Sequence, residues 1–135
     1  MQLRAADYIV LIVADLDVAL RFYVDRLGLP LKHRSGGFAQ LDTGTTRLAL
    51  YTREAMADTL GRPLRAPDPA APAFELGFKV PDVDAAFAEL VGKGVTPVMP
   101  PTDRPWGQRT AYVQDPDGNL VELVTQQARP GAVAG

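Results

Sequence analysis

An eight-residue pattern occurs twice in this chain. Val13-Ala14-Asp15-Leu16-Asp17-Val18-Ala19-Leu20 returns as Val80-Pro81-Asp82-Val83-Asp84-Ala85-Ala86-Phe87, an offset of 67 residues. Each copy follows a short apolar, strand-like run, Ile9–Val13 and Leu76–Val80. Each leads into a helix-like stretch that stops at glycine, Gly28 in the first copy and Gly92 or Gly94 in the second. Copies at this spacing predict two similar βα units sharing one core. The 135 residues allow one domain, or two half-domains packed as one.

Local signals extend the frame. Tyr8–Val13 lacks polar alternation, which predicts a strand covered on both faces. Asp15 can cap the following helix, because its carboxylate accepts amide protons of the first turn. Leu16, Ala19, Leu20, Tyr23, Val24 and Leu27 recur at helical spacing, Gly28 supplies the left-handed stop, and Pro30 prevents continuation. Phe22 and Tyr23 read as helix-face core. Strands are expected at 31–34, 38–42 and 47–52, separated by Gly36-Gly37 and Thr43-Gly44-Thr45. The first module, 7–52, is thus β-α-β-β-β.

Residues 53–73 read as an exposed connector, with four prolines between Arg62 and Pro72 and a short helix over Glu54–Leu60. The second module, 74–127, repeats the order: strand 74–80, helix 83–91 capped by Asp82, strand near 95–99, loop 100–108, strand 109–114, turn 115–119 and strand 120–125. Asp115-Pro116-Asp117-Gly118 places proline, aspartate and glycine where a tight turn needs them. Residues 1–127 are expected to form one domain, with 128–135 a frayed tail.

Composition narrows the function classes. Fourteen basic and 16 acidic residues give net −2, which offers no pull toward nucleic acid or an anionic membrane. No apolar run approaches the ~18 residues of a membrane span. Arg4 and Asp7 interrupt any signal-peptide core, so a cytoplasmic protein is expected. Zero cysteines excludes disulfides, thiolate metal sites and cysteine nucleophiles.

Three stretches, in order on the duplicated frame, carry a resemblance: Val13-x-Asp15-Leu16-x5-Phe22-Tyr23-x3-Leu27-Gly28, Val80-x-Asp82-Val83, and Asp115-Pro116-Asp117-Gly118-Asn119-Leu120-Val121-Glu122-Leu123. Over about residues 7 to 126 the chain resembles the vicinal oxygen chelate superfamily, which includes glyoxalase I, extradiol dioxygenases, fosfomycin-resistance enzymes and bleomycin-resistance proteins. The resemblance implies an α+β fold of two βαβββ modules, forming a curved mixed sheet around a cavity and completed by dimerisation. In metal-dependent members the ligands come from the first and last strands of each module. Carried over residue by residue, those positions are Tyr8, Ala49, Glu75 and Glu122.

Tyr8 replaces the familiar histidine, Ala49 replaces a glutamate or histidine, and Glu75 stands where histidine is common. Glu122 alone keeps the usual ligand. Alanine has no donor atom, and a neutral phenol with a pKa near ~10 ligates poorly. Two carboxylates suit at most a weakly held divalent cation, because magnesium and calcium want more oxygens. The expectation is therefore no metal of the family type, no other cofactor and no catalytic residue.

Several side chains compete for a ligand-binding role. Glu75 and Glu122 form a paired-carboxylate site if the repeat holds; alternatively Tyr8 or Arg47 holds Glu75, and Glu122 is a relic. Trp106, on the proline-stiffened loop, either lays its indole against a planar ligand or plugs the sheet end. Phe38, Gln40, Tyr51 and Tyr112 fall on strands whose alternate positions would line the cavity. Arg104 and Arg109 pair either with an anionic ligand or with Asp103 or Glu122. His33 matches no ligand position. The leading expectation is a non-catalytic, dimeric protein that sequesters an antibiotic or similar aromatic natural product. The alternative is a lyase, isomerase or dioxygenase working through Glu75 and Glu122.

Overall fold

The computed structural model describes residues 1–127, so the expected tail at 128–135 lies outside the described residues. The chain divides into two compact units, with the boundary between Ala66 and Pro67, inside the proline-rich segment.

In the first unit, strand β1 (Tyr8–Val13) leads to helix α1 (Leu16–Leu20), which continues as a π-helical turn over Arg21–Arg26. Strands β2 (Leu31–Ser35), β3 (Phe38–Leu41) and β4 (Arg47–Thr52) follow, then helix α2 (Arg53–Leu60). The sheet order is β1-β4-β3-β2. β1 and β4 are parallel, and the other pairs are antiparallel.

Asp15 caps α1 as expected, its Oδ1 accepting from the Val18 amide at 3.0 Å. The wider turn is visible where the Leu27 amide donates to the Phe22 carbonyl, five residues back, at 2.9 Å. Gly28, at φ 80°, ends the helix. Leu16, Ala19, Leu20, Phe22 and Tyr23 are buried, as are Leu11, Val13, Ala39, Leu41, Leu48 and Leu50 on one sheet face. Phe22 and Tyr23 meet edge to face, ring centroids 4.8 Å apart. Side-chain alternation leaves the opposite face to Tyr8, Val10, Phe38, Gln40, Arg47, Ala49 and Tyr51.

The expectation that both faces of β1 are covered fails within this unit. Tyr8, Ile9 and Ile12 are 62%, 42% and 39% exposed. β1 is an edge strand here, and its buried apolar residues are Leu11 and Val13, on the helix-bearing face. The short connector helix does form: the Thr52 side chain caps it through the Ala55 amide, and Gly61 closes it at φ 70°.

The second unit repeats the architecture. β5 (Glu75–Lys79), α3 (Val83–Gly92), β6 (Thr96–Asp103), β7 (Gln108–Gln114) and β8 (Leu120–Gln126) form a sheet of order β5-β8-β7-β6. β5 and β8 are parallel, matching β1 and β4. Asp82 caps α3 through the Ala85 amide at 3.1 Å, and Gly94, at φ 83°, follows the helix. Among the described residues the fold is therefore α+β, with two mixed four-stranded sheets, neither closed.

One loop is shorter than expected. β6 runs through Pro97, Pro100 and Pro101 to Asp103, so the supposed loop 100–108 contracts to a turn between Asp103 and Gln108. An edge strand tolerates prolines because it need not donate on its free side. The register slips between Pro97 and Met99 and again between Met99 and Thr102. The turn 115–119 forms as expected. Asp115 Oδ1 accepts from the amides of Asp117 and Asn119, at 3.0 and 2.7 Å, and Oδ2 from Asn119 Nδ2 at 2.9 Å.

Candidate functional site

Strand register tests the correspondence between modules. Tyr8 and Glu75 each open the first strand of their module. Ala49 pairs with Gln40, and Glu122 with Tyr112. Arg47 lies beside Tyr8, and Leu120 beside Glu75. Ala49 thus corresponds to Glu122, Gln40 to Tyr112, and Arg47 to Leu120.

In module one the face away from α1 holds a concavity of about 280 Å³, lined by Tyr8, Phe38, Gln40, Arg47 and Ala49. Ala49 is 3% exposed and forms its floor. Tyr51 stands beside Phe38, ring centroids 6.2 Å apart and planes at 68°. His33 lies on Phe38's other flank at 6.5 Å. Thr59 Oγ1 donates to the Ala55 carbonyl, so in its 2.9 Å contact with Tyr51 the tyrosine hydroxyl donates. Tyr51 therefore turns its polar tip to α2 and supports Phe38.

In module two the corresponding face carries Glu75, Gly77, Glu122, Thr110 and Tyr112. Tyr112 donates its hydroxyl proton to Glu122 Oε2 at 2.7 Å. Burial first, then the bond to Glu122, pushes the Tyr112 phenol up to about 12. Burial and the neighbouring Glu122 charge raise the Glu75 carboxyl above its ordinary value. Arg104 donates to Thr110 Oγ1 at 2.8 Å, and its guanidinium carbon lies 6.0 Å from the Tyr112 ring centre, within cation–π range.

The remaining candidates are placed elsewhere. Arg109 is three residues before Tyr112 on the same strand, so it faces the helix side. It clamps Asp84 of α3 at 2.8 and 2.9 Å and Asp103 at 2.9 Å. That double pairing lowers the Asp84 pKa and raises that of Arg109. Trp106 is 57% exposed on the β6–β7 turn, and its indole donates to Gln108 Oε1 at 2.9 Å. Structure thus groups Tyr8, Phe38 and Gln40 in one module, backed by Tyr51, and Glu75, Tyr112 and Glu122 in the other. Arg47, which the sequence offers only as a partner for Glu75, joins the module-one group. Alternation from Ala49 would have placed it on the same face.

The donor set does not fit a transition-metal centre of the kind the resemblance implies. Module one offers a phenol and a methyl group at the two ligand positions, and the Glu122 carboxylate already accepts from Tyr112. Among the described residues no three histidine, cysteine, aspartate or glutamate side chains gather in a metal-holding group.

Residues 5–123 match the family model of the glyoxalase/bleomycin resistance protein/dioxygenase superfamily, and the chain belongs to that family. The uncharacterized protein YraH of Bacillus subtilis is 39% identical over 117 residues, covering 84% of this chain and 91% of its own length. A bleomycin resistance protein of Geobacillus stearothermophilus is 29% identical over 124 residues, covering 84% and 91%. Of solved structures, a glyoxalase/bleomycin resistance protein/dioxygenase from Nocardioides superposes with TM-score 0.80 at 26% identity, covering 99% of this chain and 92% of that one. TnmS3, an antibiotic binding protein from Streptomyces sp. CB03234, superposes with TM-score 0.67 at 27% identity, covering 96% and 99%.

Proposed function

We propose that this protein binds and sequesters a small aromatic molecule, an antibiotic or similar natural product, and does so without catalysis. The observation that carries this reading is the module-one concavity. An aromatic wall at Phe38 flanks a small apolar floor at Ala49, and Ala49 occupies a position where the resemblance implies a metal ligand. Such a surface suits stacking and exclusion of water better than Lewis-acid chemistry. The similarity to a bleomycin resistance protein and to TnmS3 supports the same reading. Two copies of the chain are part of the proposal, and no cofactor is. Among the described residues no helix is long and apolar enough to cross a membrane.

A second reading rests on module two, where Tyr112 and Glu122 are hydrogen-bonded beside Glu75. A phenol and two carboxylates are the components of acid–base catalysis.

A thermal-shift panel of aromatic antibiotics tests the proposal. A ligand at 100 times its Kd stabilises by about 2.7 kcal/mol, a rise of several degrees. A panel in which no compound raises the midpoint counts against sequestration. Turnover of a substrate by Glu122-dependent chemistry would establish the second reading.

A further inference from the structure

Resting on the binding reading, we infer that the module-one concavity is a charge-selective subsite: it receives a flat aromatic fragment bearing a carboxylate or phenolate, and Arg47 reads that charge.

Size sets the class of occupant. At about 280 Å³ the concavity falls just below the ~300–1,000 Å³ of pockets that enclose drug-sized ligands. It is larger than the roughly 150 Å³ cavity that accepts benzene. One or two fused rings fit, and the rest of a larger molecule must extend outside. Phe38 offers its ring with little freedom to move away, because Tyr51 holds it edge to face and is itself pinned to Thr59 on α2.

Charge sets the selectivity. Of the five lining residues Arg47 is the single charged one, and none is acidic. Its ion pair with Asp7 is long, 3.8 Å between Nη1 and Oδ2, and both side chains are more than half exposed, so the pair is weak and a carboxylate in the concavity can compete for the guanidinium fork. The Tyr8 phenol and the Gln40 amide add neutral hydrogen-bonding groups on the same face. The cation is a property of this module, not of the repeated frame: Leu120 takes the Arg47 position in module two, and Glu122 takes that of Ala49. The two copies have diverged in polarity, and the basic one accepts the acidic fragment.

The test is calorimetric titration of the full chain with 2-naphthoate and with its uncharged methyl ester, at low salt and pH 7.5. Wild type should bind the carboxylate about three- to tenfold more tightly, the range for a partly exposed charge-assisted contact. Arg47→Gln should abolish that preference, and Arg47→Lys should keep part of it. Equal affinities in wild type, or a preference that survives in Arg47→Gln, would overturn the subsite and leave sequestration standing, because the ester still binds. Failure of both isosteres to bind also overturns it, and the antibiotic panel then decides sequestration separately.

Discussion

Replacing Tyr112 by phenylalanine removes one oxygen and interrogates the centre of the module-two face. Its hydroxyl donates to Glu122 Oε2 at 2.7 Å, a short bond to a carboxylate. Hydrogen bonds to charged groups contribute about 1.5–3 kcal/mol when well shielded. Both side chains here are only half-buried, so water compensates part of the loss, and about 1–2 kcal/mol is expected. For a chain of this size that corresponds to roughly 3–8 °C in midpoint. The assay is a double-mutant cycle, Tyr112→Phe against Glu122→Leu, by urea denaturation at pH 7. A coupling of about 1 kcal/mol between the two sites is predicted. A second readout is alkaline titration. Because the folded phenol is raised from 10 to about 12, its contribution to stability is present below pH 10 and is lost as pH rises toward 12. Tyr112→Phe should lack that alkaline loss. Coupling below about 0.3 kcal/mol, within the scatter of additive mutations, would refute a direct Tyr112–Glu122 interaction.

The Glu75 carboxyl is raised above its ordinary value by burial and by Glu122, so its contribution is present below the ordinary carboxylate range and is lost as pH rises through the folded value. Glu75→Gln should therefore be more stable than wild type at pH 7, with the difference vanishing in acid; equal pH–stability curves would contradict this. Asp115, 3% exposed, accepts from the amides of Asp117 and Asn119 and from Asn119 Nδ2 across its turn. Asp115→Ala should cost about 1–3 kcal/mol in denaturant titration, because half-buried donors lose their buried acceptor. Phe38→Leu keeps apolar bulk but removes the ring, so affinity for an aromatic ligand should fall by about 0.5–1.5 kcal/mol, read by calorimetry, with little change in stability.

Much of the frame was legible because caps and stops are local chemistry. Asp15 and Asp82 accept first-turn amides as their positions implied, and Gly28 takes the left-handed conformation. β4 occupies 47–52 as read from its apolar run. The π-helical turn over Arg21–Arg26 was not legible, since two turns of side chains do not separate a period of 3.6 from a wider one. Prolines misled at β6, because their cost depends on whether a strand is central or at an edge. An unbroken apolar run likewise does not say which face a strand covers, as Tyr8 and Ile12, exposed opposite Leu11 and Val13, demonstrate. The 67-residue offset relates Tyr8 to Glu75, whereas Ala49 and Glu122, 73 residues apart, are related only by matching Arg47-Leu48-Ala49-Leu50 to Leu120-Val121-Glu122-Leu123. For Arg109 the pairing with Asp103 was among the alternatives and forms, whereas its second partner, Asp84, lies 25 residues away and depends on strand parity. Arg47 was legible only as a partner for Glu75, because its counterpart Leu120 carries no chemistry.

The central claim is that the duplicated frame is kept for a binding cavity and not for a transition-metal centre. Calorimetric titration of an antibiotic hit, run in parallel with excess chelator and with added nickel, zinc or iron(II), tests it most directly. Saturable binding with the same affinity in every arm is expected. Binding that disappears with chelator and returns with one of those metals would contradict it.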